Sequence, residues 1–131
     1  MKIVNPATEE LIKEVAEDNS ESIQTKYATA KAAQKAWAKT PLKERIACIA
    51  KFNALMLSNA DKIAADMTSE VGKPLEQAKG EISGGIGRSE YFVANSEKYL
   101  AEELAVSEGP TKEKITYEPL GVIANISAWN Y

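Results

Sequence analysis

The sequence predicts an α/β chain, mostly helical, and three observations carry that prediction. From about Ser22 to Leu104 the apolar residues recur at spacings of three and four, the stripe of amphipathic helices. Two short extended runs, Ala105-Val106-Ser107 and Lys114 to Glu118, flank Gly109-Pro110, the arrangement of a hairpin. Beyond Pro119-Leu120-Gly121, the run Val122 to Ile126 is short, apolar and rich in β-branched residues, as a buried parallel strand is.

In chain order, Asn5-Pro6-Ala7-Thr8 reads as a turn, because proline fixes its own φ and pushes the residue before it away from helix. Leu11 to Val15 follows as a short strand. Asp18, Asn19, Ser20 and Ser22 are all suitable N-caps for a first helix reaching about Lys39, with Ile23, Tyr27, Ala30, Ala33 and Trp37 on its apolar face. Thr40-Pro41 restarts the chain as a second helix whose stripe is Leu42, Ile46, Ile49, Phe52 and Met56. Ser58 or Asn59 caps a third, carrying Ile63, Ala64, Met67 and Val71 and stopped by Gly72-Lys73-Pro74. Pro74 opens a fourth, with Glu76 in its first turn, running through Ala78, Ile82, Ile86, Tyr91, Phe92 and Tyr99 to about Leu104. Gly80, Gly84, Gly85 and Gly87 interrupt it, each costing about 0.5–1 kcal/mol relative to alanine. A kink there, or close packing of another backbone, is the expectation.

Composition removes several function classes. The 131 residues fit one domain able to bury a sizeable core. A formal charge of -3, from 16 basic and 19 acidic residues, gives no reason to expect nucleic acid or an anionic membrane as partner. Cys48 is the sole cysteine and histidine is absent, so a disulfide framework and a histidine-based hydrolase are excluded and a Cys/His metal site is not expected. Met1 to Pro6 reaches a proline and acidic residues too soon to form a secretory apolar core, and no run approaches the roughly 20 apolar residues of a membrane span. A cytoplasmic, reducing setting is expected.

Few residues invite a chemical role. Cys48 lies between Ile46 and Ile49 and reads as a buried, inert thiol, since no base is near it in the helix. The glycine cluster is not a dinucleotide loop, because it follows a helical pattern and Gly85-x-Gly87 continues to Glu90 where a third glycine is required. Tyr27, Trp37, Tyr91 and Phe92 fall on helical stripes and read as core. Glu70, Glu76 and Glu81 read as solvated or first-turn carboxylates. Asn130 differs: it follows Trp129 at the carboxyl end of the last strand, and open α/β sheets bind ligands there. An asparagine in that place also serves simply as a turn residue.

Several segments together resemble the amino-terminal part of the NAD(P)-dependent aldehyde dehydrogenase superfamily. They are Asn5-Pro6-Ala7-Thr8, the alanine-rich helix ending in Trp37, Glu70-x-Gly72-Lys73-Pro74, Gly80-Glu81, Tyr91-Phe92, Glu118-Pro119-Leu120-Gly121-Val122 and Trp129-Asn130-Tyr131. The resemblance implies the mostly helical beginning of a cofactor domain over residues 1–104. It implies an oligomerisation hairpin over 105–118, and the first strand of the dinucleotide-binding sheet with the Trp-Asn motif over 119–131. It implies NAD or NADP as cofactor, a homo-oligomer joined through the hairpin, and an aldehyde as substrate of the complete enzyme. Asn130 then matches the family's amide donor to the oxygen of the thiohemiacetal, while Ile126, Ser127 and Trp129 match residues lining the cofactor.

Two positions depart from the family pattern: Ala128 stands where a proline usually precedes the Trp-Asn pair, and Glu9 where the early turn usually has glycine. The family's nucleophilic cysteine, glutamate base and ribose-binding lysine lie beyond the matching region. The 131 residues therefore read as a truncated or fragmentary aldehyde dehydrogenase, inactive alone because a covalent mechanism needs its nucleophile. The alternative is a stand-alone helical oligomerisation module, whose hairpin adds a strand to a partner's sheet.

Overall fold

The computed structural model describes residues 1–127. The elements in order are β1 (Lys2–Val4), β2 (Leu11–Glu14), α1 (Ser20–Trp37), α2 (Leu42–Ser58), α3 (Ala60–Val71), α4 (Leu75–Tyr99), β3 (Glu103–Glu108) and β4 (Thr111–Ile115). They form two compact units, one of Met1–Glu17 with Leu42–Tyr99, the other of Asp18–Pro41 with the described residues from Leu100 onward.

In the first unit, β1 and β2 pair antiparallel, with Lys2 opposite Glu14 and Ile3 opposite Lys13. Asn5 builds the turn between them: its Oδ1 accepts from the Ala7 N–H at 2.8 Å and from the Thr8 N–H at 3.3 Å. Strand β1 was not apparent from the sequence, because three residues are too few to show alternation. The same turn holds Glu9 at φ 62°, the left-handed region where a Cβ is crowded. Such strain costs about 1–2 kcal/mol, and glycine's extra chain entropy returns about 0.5–1 kcal/mol of it. Glu9→Gly is therefore expected to stabilise the chain by about 0.5–1 kcal/mol. Urea unfolding of the two proteins checks this, and a less stable variant would show that the turn tolerates Glu9 without strain.

Helices α2, α3 and α4 enclose the core of this unit, which is Ala64, Ala78, Ile82 and Ile86, with Met56, Ala60, Ile63 and Met67 packed partly buried against it. The caps follow from residue chemistry. Asn59 is the N-cap of α3, although its amide nitrogen turns back to the Leu55 carbonyl at 2.8 Å rather than bonding the new helix. Gly72 ends α3 in the left-handed conformation, φ 73°, and its N–H donates to the Thr68 carbonyl. A Cβ there would also lie 3.1 Å from the Pro6 ring, a tight contact that adds to the preference for glycine. The Pro74 carbonyl accepts the Ala78 N–H at 3.0 Å and starts α4.

Two expectations for α4 are corrected. The helix ends at Tyr99, not near Leu104, because Glu103 and Leu104 pair with Ile115 and Lys114 as part of β3. It also runs unbroken through all four glycines. No other backbone packs on them, since a Cβ built on Gly80, Gly84, Gly85 or Gly87 meets nothing within 4 Å.

In the second unit, Asn19 caps α1 in a reciprocal pair: its Oδ1 accepts the Ser22 N–H at 2.9 Å, and its own N–H donates to Ser22 Oγ at 3.0 Å. Lys26 and Ser22 both reach the Asp18 carboxylate, and the Lys26 ammonium holds that carboxyl below its usual range. Strands β3 and β4 form an antiparallel hairpin closed by Gly109 and Pro110 between Glu108 and Thr111. Gly109 takes φ 57°, and proline supplies the negative φ that follows, the residue pattern of a type II′ loop. Tyr117 donates to Glu103 Oε1 at 2.5 Å, and that hydrogen bond pushes its phenol above the usual range.

The expected strand from Val122 to Ile126 is absent: the described residues after Ile115 are irregular. A parallel strand satisfies its backbone only through neighbours in a sheet. The two sheets formed by the described residues are the two-stranded pairs β1-β2 and β3-β4, and neither pairs with this segment.

Candidate functional site

The candidate site is the segment that follows the hairpin. Leu120 is 91% and Ile126 95% exposed, values that show an apolar run with no packing partner among the described residues. The Ser127 hydroxyl donates to Asn125 Oδ1 at 3.2 Å, a contact between near neighbours in sequence rather than a preformed pocket. Trp129 and Asn130, together with Ala128 and Tyr131, lie outside the described residues. Of the four residues singled out by sequence, the structure thus places Ile126 and Ser127, both exposed on one irregular segment.

These residues do not by themselves fit a dinucleotide. A pyrophosphate is held where a glycine turn joins a strand to a helix N-terminus, with the ligand at the carboxyl end of a sheet. Among the described residues, 116–127 contain neither strand nor helix. The four clustered glycines sit inside α4, and none has the positive φ seen at Gly72, Gly109 and Gly121.

The remaining candidates resolve into structural roles. Glu70 pairs with Lys13 at 3.0 Å, and Glu81 pairs with Lys73 with both side chains partly buried. The sequence alone suggests solvated or first-turn groups for Glu70 and Glu81, and both instead form ion pairs. The Lys73–Glu81 pairing is not visible as helical spacing, because Lys73 precedes α4. Glu76 does lie in the first turn of α4, as expected, and its charge adds to the pull of Asp61 that raises the Lys79 ammonium.

Cys48 is exposed rather than buried, which corrects the sequence reading. It falls on α2 between Ile46 and Ile49, and Ile49 is itself 45% exposed, so the stripe there lacks the cover that would bury a thiol. The aromatic residues give the same correction: Tyr27, Trp37, Tyr91 and Phe92 are about half exposed or more in the chain as described. Helical spacing identifies an apolar face but says nothing about what lies against it. Among the described residues no helix is long and apolar enough to cross a membrane.

Comparison with known proteins supplies what these residues lack. The aldehyde dehydrogenase family model matches residues 1–131. The glutarate-semialdehyde dehydrogenase of Pseudomonas putida is 32% identical over 131 residues, covering 100% of this chain and 27% of that protein. Among solved structures, an indole-3-acetaldehyde dehydrogenase superposes with a TM-score of 0.85 at 25% identity, covering 92% of this chain and 28% of that one. An NADP-dependent enzyme of E. coli gives 0.75 at 28% identity, covering 83% and 22% respectively. The chain spans about a quarter of the length of the curated relatives it matches. A match running from residue 1 to residue 131, over a fold shared with solved relatives, places this chain in the aldehyde dehydrogenase family.

Proposed function

We propose that these residues are the amino-terminal part of an enzyme that oxidises an aldehyde to a carboxylic acid with NAD or NADP, and that the 131 residues turn over no substrate on their own. The family match over the entire chain is the observation that supports this most strongly. The family's enzymes differ in the aldehyde they are named for, so the proposal covers the reaction and no particular substrate.

Within that enzyme, Asn130 donates its side-chain amide to the oxygen of the thiohemiacetal formed when a cysteine attacks the aldehyde. Ile126, Ser127 and Trp129 line the cofactor, and Val122 to Ile126 becomes the first strand of the dinucleotide sheet once neighbouring strands receive it. The exposure of Leu120, Ile123 and Ile126 supports this reading, because an apolar run left open in one segment is what a sheet strand without its neighbours looks like. Residues 105–118 serve as the oligomerisation arm. Support comes from β3 and β4, whose residues are almost all exposed and whose outer edges have no partner among the described residues. A reducing, cytoplasmic setting belongs to the same proposal.

A stand-alone interaction module is not favoured, because the family match continues past the hairpin through the Trp-Asn motif. One experiment addresses both parts. A full-length protein carrying these residues is assayed for aldehyde-dependent NAD(P)H formation and sized by light scattering, beside a version with 105–118 replaced by a short Gly-Ser turn. The first is expected to be an active oligomer and the second to lose the assembly. Inactivity of the first with a broad panel of aldehydes sinks the enzymatic reading, and an unchanged size of the second sinks the role of the arm.

A further inference from the structure

We draw no further inference here: the strongest candidate, the groove between α2 and α4 lined by Ala50, Asn53, Leu57, Glu90 and Val93, carries nothing because the unpartnered Asn53 amide nitrogen beside it is sealed from solvent and nothing in the structure shows what covers the groove.

Discussion

Asn130→Ala in the full-length enzyme is expected to lower kcat about 10²–10³-fold while leaving KM for the aldehyde within about threefold. The reason is the place that the proposed function gives this donor in the reaction. An aldehyde oxygen is a weak acceptor, and its charge appears only when the cysteine adds to the carbonyl carbon. An amide N–H held at the position of that oxyanion therefore binds the transition state better than the ground state. Removing one such donor typically costs about 2.7–4 kcal/mol of transition-state stabilisation. A rise in KM at constant kcat would instead assign Asn130 to substrate binding, and a kcat within threefold of the parent would remove it from the chemistry. Binding of NAD(P), followed by fluorescence quenching, should stay close to that of the parent, which separates loss of the donor from loss of the fold.

Ile82→Ala is expected to destabilise the isolated chain by about 2–4 kcal/mol, measured by urea unfolding followed by helical circular dichroism. Ile82 is 5% exposed and belongs, among the described residues, to a core of four buried hydrophobic side chains, so the cavity left by its side chain falls where α3 and α4 meet. Domains of this size hold only about 5–15 kcal/mol in total. Leu57 serves as the control: it is 66% exposed, and Leu57→Ala is expected to change stability by no more than about 0.5 kcal/mol. Equal effects at the two positions would mean that the packing of α2, α3 and α4 is not the main source of stability.

The helices were legible in the sequence because their signals are local. The stripe through Ile63, Ala64 and Met67, the stop at Gly72 and the restart at Pro74 all act within a turn or two, and the structure ends α3 and starts α4 where those signals put the break. The cap of α1 at Asn19 is equally local. What failed was whatever depends on a distant partner. Trp37 and Phe92 lie on proper helical faces, yet they remain exposed because helical spacing does not name the surface opposite. Val122 to Ile126 has the composition of a buried strand, but a strand is completed by its neighbours, and no neighbour pairs with it among the described residues. The glycines of α4 were expected to kink the helix or admit another backbone; the helix is continuous through them, and among the described residues no other backbone approaches them.

Glu9 shows the opposite case. The resemblance implies a glycine at that turn, and the left-handed φ of Glu9 is a backbone condition that favours one. The candidate site was legible only through the resemblance. Ile126 and Ser127 are not brought together with any catalytic group by the described structure, and Trp129 and Asn130 lie outside it.

On the proposed function, these residues begin an aldehyde dehydrogenase site and do not contain the groups that finish it. Cys48, the one thiol available, is exposed in the middle of α2. The direct test is to incubate the purified 131-residue chain, shown to be folded by its helical circular dichroism, with a panel of aldehydes and both NAD and NADP. No aldehyde-dependent NAD(P)H above the protein-free blank is expected, whereas the full-length enzyme under the same conditions is expected to give sustained turnover. Turnover by the short chain that is abolished by Cys48→Ser would show instead that these residues already hold a working nucleophile.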